Sequence, residues 1–129
     1  MDDEAKKHIL VIDDDSFFIE LYALAFQKAG YMVDAAWNGQ EALDLVEKDP
    51  KQYEAAIVDL LMPVMDGFGF IQMALDKKLI PANRIYVLTN YGEKEHVDRA
   101  KELGVRAFVL KAHHTPEEII ELIRTTSGK

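Results

Sequence analysis

Three consecutive aspartates, Asp13-Asp14-Asp15, follow the apolar run Ile9-Leu10-Val11-Ile12, and another, Asp59, follows Ala55-Ala56-Ile57-Val58. Thr89 closes a further run, Ile85-Tyr86-Val87-Leu88, and Lys111 closes Ala107-Phe108-Val109-Leu110. Carboxylates brought together repel and resist ionisation unless a cation neutralises them. With only oxygen ligands on offer and room for water, Mg²⁺ is the expected ion, because it is held by one or two carboxylates plus phosphate. Mn²⁺ is an acceptable substitute. A carboxylate beside such an ion can attack phosphorus, while the ion and a lysine neutralise the transferring oxygens and a hydroxyl donates to another. Asp, Asp, Asp, Thr and Lys are therefore what in-line phosphoryl transfer to a carboxylate needs, with no histidine or arginine required.

These residues meet only if the apolar runs lie side by side. Short runs at 9–12, 33–37, 55–58, 85–88 and 107–110 alternate with helix-period stretches, which predicts an α/β fold, a doubly wound five-stranded parallel sheet. In such sheets ligands bind beyond the carboxyl ends of the strands, where all four polar positions fall. The first helix is predicted to begin after Ser16 and stop at Gly30, and the second to begin after Asn38. The last opens with Thr115-Pro116-Glu117-Glu118, a capping box with proline in the first turn. A charged helix over 93–103 closes at Gly104 and offers only Val97, Ala100 and Leu103 to the interior, so it is expected to be weakly anchored. In the first helix Phe18, Leu21, Tyr22 and Ala25 form the predicted buried face, leaving Phe17, Ile19 and Leu24 outside it.

The chain has 129 residues, the size of one domain, with 49% hydrophobic and 29% charged residues, a globular balance. A single domain over 1–129 is expected, its core about 8–126, with no linker and no effector domain in this chain. There are no cysteines, which excludes disulfides, thiolate metal sites and cysteine nucleophiles. A net charge of −8 opposes direct binding to nucleic acid or to anionic membranes. No apolar run reaches the ~20 residues of a membrane span, and the mixed-charge start lacks a signal-peptide pattern, so a cytoplasmic location is expected.

Four segments carry a family resemblance: Ile9 through Asp15, Val58-Asp59-Leu60-Leu61-Met62-Pro63-Val64-Met65-Asp66-Gly67, Leu88-Thr89, and Val109-Leu110-Lys111. Together, in this order, they resemble the response-regulator receivers of two-component signalling, and the likeness covers nearly the whole chain. It implies a flavodoxin-like three-layer sandwich with strand order 2-1-3-4-5. It implies Asp59 as phosphoacceptor, Asp13, Asp14, Asp59 and the Leu61 carbonyl as metal ligands, and Thr89 and Lys111 as phosphoryl-binding groups. Phe108 looks like the family's aromatic switch residue, acting with Thr89. By the same resemblance, Leu61 and Tyr91 fall at the two positions that flank the attack path in the family and would tune hydrolysis. The implied partners are a histidine kinase or histidine phosphotransfer protein, which would dock on apolar surface of the first helix at Phe17 and Leu24, and a downstream protein target. The implied state is a monomer or a phosphorylation-dependent dimer, a self-modifying switch rather than a turnover enzyme.

Two positions depart from the family pattern. Ala112 follows Lys111 where the family usually has proline, often after a cis bond that costs a non-proline residue ~3 to 4 kcal/mol, which puts the placement of Lys111 in question. Asn90 follows Thr89 where a small residue is usual, and its bulk is expected to narrow access to Asp59. Both motivate an alternative, a receiver-fold interaction module that takes no phosphate. A haloacid-dehalogenase-like phosphatase, with Asp13 as nucleophile, is a further alternative, weakened by Phe17 where that motif needs a small residue. Asp15 and Asp66 read as helix-capping residues, and the adjacent His113 and His114 as a solvated loop.

Overall fold

The computed structural model describes residues 7–127, so the sequence features at 1–6 lie outside the described residues. The elements run β1 His8–Ile12, α1 Ser16–Lys28, β2 Met32–Ala36, α2 Gly39–Lys48, β3 Tyr53–Val58, α3 Gly67–Asp76, β4 Ile85–Thr89, α4 Lys94–Leu103, β5 Ala107–Leu110 and α5 Pro116–Thr126. All four strand pairings are parallel, and the sheet order is β2-β1-β3-β4-β5. This is the doubly wound flavodoxin-like sandwich expected from the alternation and the resemblance.

Both sheet faces are covered, so the central strands are apolar throughout rather than alternating. Ile9 and Val11, Ala55 and Ile57, and Tyr86 and Leu88 face α1 and α5, where they meet Ile19, Tyr22, Phe26, Ile119, Ile120 and Ile123. Leu10 and Ile12, Ala56 and Val58, and Ile85 and Val87 face the other layer, built mainly from α2 and α3; α4 adds the fully buried Ala100. Burial of this kind contributes roughly 1.5 to 3 kcal/mol per large side chain.

The helix boundaries have the predicted causes, with small shifts. α1 begins at Ser16 rather than after it, and Asp15 caps it as expected, its carboxylate accepting from the Phe17 and Phe18 amides. Asn38 caps α2, Asp66 caps α3, and Thr115 with Glu118 forms the capping box of α5. The predicted inner face of α1 needs correction. Ile19, Tyr22 and Phe26 are buried, while Leu21 is 43% exposed. α1 is apolar nearly all round, so periodicity does not select a face, and packing against β1 and α5 selects it instead.

Candidate functional site

The sheet register carries the two key aspartates to one edge. Asp13 donates its amide to Ala36 O at 3.1 Å, and Asp59 donates its amide to Ile12 O at 3.0 Å, so both extend the ladder just past their strands. β4 stands beside β3 with Val58 opposite Val87, and Thr89 ends β4 opposite Leu110 of β5. Lys111 follows at once, opening a 3₁₀ turn over Lys111–His113. Four strand ends thus present polar groups at one end of the sheet, where Asp13, Asp59 and Lys111 meet.

Asp13, Asp14 and Asp59 each offer a carboxylate oxygen, and these oxygens lie within 4.8 Å of one another. Asp13 and Asp59 are buried and Asp14 is exposed, which leaves the cluster open to solvent on one side. Asp13 Oδ1 accepts from the Asp15 amide at 2.9 Å, and Asp59 Oδ1 accepts from the Leu60 amide at 2.7 Å. Lys111 Nζ stands 2.5 Å from Asp13 Oδ2 and donates to Asp59 Oδ2 at 3.2 Å. Lys111 is thus the one side chain paired with Asp13 Oδ2 among the described residues, and it is shared with Asp59.

The electrostatics follow from this burial. Loss of water pushes the Asp13 carboxyl above its ordinary range, against the opposing pull of Lys111 and of the Asp15 amide. Burial alone would lower the Lys111 ammonium, but the bond to Asp13 and the charges of Asp59 and Asp13 outweigh it and raise its pKa. One lysine therefore answers a group of three carboxylates. Three carboxylates converging within 4.8 Å on a single lysine fit a hard cation, whose charge would offset the remaining repulsion.

The loop leaving Asp59 is held close. Gly67 donates its amide to Leu60 O at 2.9 Å, and a Cβ at position 67 would lie 2.1 Å from the Asp59 carbonyl oxygen. Only glycine permits that approach. Val64 sits in the left-handed region at φ 69°, a conformation that β-branched residues rarely adopt. Leu61 and Tyr91, at the two predicted tuning positions, are 47% and 41% exposed. Thr89 is fully buried, and its Oγ1 accepts from the Tyr91 amide at 3.3 Å. Phe108 is half-buried against the α3 side of the core.

The two departures resolve differently. Among the described residues no peptide bond is cis, and Lys111 reaches both aspartates with Ala112 after it. Asn90 is exposed and borders a shallow groove with Phe18, Leu21 and Lys111. On α1, Phe17 is 73% exposed and Leu24 53%, and Leu21 continues the same outer stripe. His113 and His114 are exposed and outside the acidic cluster.

One contact at the site has no counterpart in the sequence reading. The Lys111 ammonium lies over the Phe18 ring, 4.3 Å from its centroid, whereas the sequence pattern places Phe18 only in the buried face of α1. No local sequence signal joins two side chains so far apart in the chain.

A family model described as response regulator receiver domain matches residues 9–124. Sporulation initiation phosphotransferase F of Bacillus subtilis is 36% identical over 97 residues, 74% of each chain. A probable transcriptional regulator, ycf27 of Guillardia theta, is 30% identical over 96% of this chain, which spans 46% of that regulator's length. The chemotaxis protein CheY4 of Vibrio cholerae superposes with a TM-score of 0.84 at 27% identity, covering 95% of this chain and 99% of CheY4. A response regulator from Burkholderia pseudomallei, crystallised with a phosphorylated aspartic acid, a calcium ion and citrate, superposes with a TM-score of 0.80 at 32% identity, covering 93% of this chain and 68% of that one.

Proposed function

Because the chain belongs to the response regulator receiver domain family, we propose that it is a phosphorylation switch in which Asp59 accepts a phosphoryl group from a phosphohistidine. The observation that carries this is the buried Asp59 carboxylate, which converges with Asp13 and Asp14 and faces Lys111. A carboxylate oxygen of Asp59 forms the new bond to phosphorus as the phosphorus–nitrogen bond breaks, and the imidazole leaves neutral because the donor histidine's other ring nitrogen carries a proton. Lys111 neutralises charge on the transferring oxygens, and Thr89 turns its hydroxyl toward the new group. Asp13, Asp14, Asp59 and the Leu61 carbonyl would hold Mg²⁺, which when bound supplies positive charge to the same oxygens.

The similarity to a phosphotransferase and to a regulator with a phosphorylated aspartic acid supports this reading. The donor is a histidine kinase or a helical phosphotransfer protein, docking on the outer stripe of α1 at Phe17 and Leu24. The recipient of the signal is a downstream protein, and the site of action is the cytoplasm.

The test is intact-mass analysis after treatment with acetyl phosphate, with Mg²⁺ or with EDTA, on wild type and Asp59→Asn. One added phosphoryl group is expected only in wild type with Mg²⁺. Undiminished modification of Asp59→Asn would overturn the assignment, and modification mapped to Asp13 would favour the phosphatase alternative. No modification of wild type would make the chain a receiver-fold interaction module.

A further inference from the structure

The Lys111 ammonium has three close neighbours. Two are carboxylate oxygens, Asp13 Oδ2 at 2.5 Å and Asp59 Oδ2 at 3.2 Å. The third is the face of Phe18, 4.3 Å from Nζ to the ring centroid. Both carboxylates belong to the trio that converges within 4.8 Å, so any cation or phosphoryl group entering the site draws on the same oxygens. The ring face is the anchor for which an incoming ion does not compete.

The Lys111 side chain is enclosed, only 12% exposed, but the backbone that carries it is less so. That side chain is long and flexible, and Ala112 and His113, which continue the short turn, are both exposed. Phe18, in contrast, is fixed from two directions. Its ring stacks on the buried Tyr22 with centroids 4.2 Å apart and planes 21° from parallel. Its amide donates to the Asp15 cap at 3.3 Å, and the Asp15 amide donates to Asp13 Oδ1 at 2.9 Å. Asp13, Asp15, Phe18 and Lys111 thus form a closed circuit, in which the geometry of the α1 cap sets where the ammonium rests.

We propose that Phe18 is a positioning residue for Lys111: its ring face holds the ammonium beside Asp59 by attraction between the cation and the π-electrons. The placement stands on the contacts alone, and its kinetic consequence rests on the reading that Asp59 accepts a phosphoryl group. Such a contact is sensitive to the electron density of the ring and not only to its volume. Fluorine withdraws that density while changing the shape little.

The experiment has two arms on the full chain. In the first, without metal, the Lys111 side-chain protons are observed by NMR in wild type, Phe18→Tyr and Phe18→Leu. An upfield ring-current shift is expected in wild type and Phe18→Tyr and should be lost in Phe18→Leu. Unshifted Lys111 protons in wild type would overturn the placement. In the second arm, the rate of phosphorylation by acetyl phosphate with Mg²⁺ is measured for these variants and for protein carrying mono-, di- and trifluorophenylalanine at position 18. Phe18→Leu should be slower by about tenfold, Phe18→Tyr close to wild type, and the fluorinated series slower in steps. In a Lys111→Met background Phe18→Leu should have no further effect. Equal rates across the fluorinated series, or full additivity with Lys111→Met, would overturn the positioning role. If wild type takes no phosphate at all, the functional reading fails, and the ring-current arm still decides whether Phe18 places Lys111.

Discussion

Leu61 and Tyr91 stand two residues beyond Asp59 and Thr89, with side chains partly open to solvent. The Tyr91 backbone is tied down on both sides, its amide to Thr89 Oγ1 and its carbonyl to His96 Nδ1. Neither side chain carries a carboxylate or amide that would hold a water in line with phosphorus, so slow loss of phosphate from Asp59 is expected. The double variant Leu61→Asn, Tyr91→Glu should lose ³²P faster than wild type by about tenfold at the same Mg²⁺ concentration. A lifetime no shorter than wild type would remove water access at these positions as the control. The four residues at the strand ends were legible in the sequence because each is the first polar group after an apolar run. Phe18 was not, because its role depends on a lysine that reaches it only after β5 has been laid beside β4.

α4 is the element least committed to the core. Ala100 alone is buried, the Glu93 side chain makes no capping bond, and the helix closes on Gly104 in the left-handed conformation at φ 81°. Such a helix changes its packing at small cost, which suits an element that reports a local charge change as a new surface. Beryllofluoride with Mg²⁺ should therefore shift backbone amide resonances of β4, α4 and β5, Phe108 included, more than those of α2. Unchanged α4 and β5 resonances would sink this. That weak anchoring could be read from Val97, Ala100 and Leu103, the few apolar positions of a charged helix. The buried face of α1 could not, since Phe17, Phe18, Ile19, Leu21, Tyr22 and Leu24 make nearly every direction apolar, and the choice falls to contacts with Ile120 and Ile123 of α5.

At the scale of the whole molecule, charge is managed at both sheet edges. At the edge opposite the acidic site Glu54 is nearly buried between Lys7 at 2.7 Å and Arg84 at 2.8 Å. Burial would raise its carboxyl, but the bonds from Lys7 and Arg84 win and bring its pKa down to about 2. A carboxylate lowered in the folded state stabilises the fold above its ordinary pKa of 4.5, and that contribution is lost as pH falls from there toward 2. Glu54→Gln should lower stability at pH 7 by about 2 kcal/mol, discounted from the full shift because Lys7 is largely exposed, and the difference should vanish at the acid end of a denaturant series. A difference independent of pH would assign the effect to packing instead. At the active edge, the chain's single tryptophan, Trp37, follows β2 and donates its indole N–H to Ser16 Oγ at 3.1 Å, on the first residue of α1. With 44% of its surface exposed, that indole bridges the strand beside Asp13 and the helix that bears Phe18. The protein therefore carries its own optical reporter: the intensity and wavelength of tryptophan emission should follow cation titration and acylphosphate formation in real time, without a label, and Ser16→Ala should blunt that response while leaving the titration endpoint by mass unchanged.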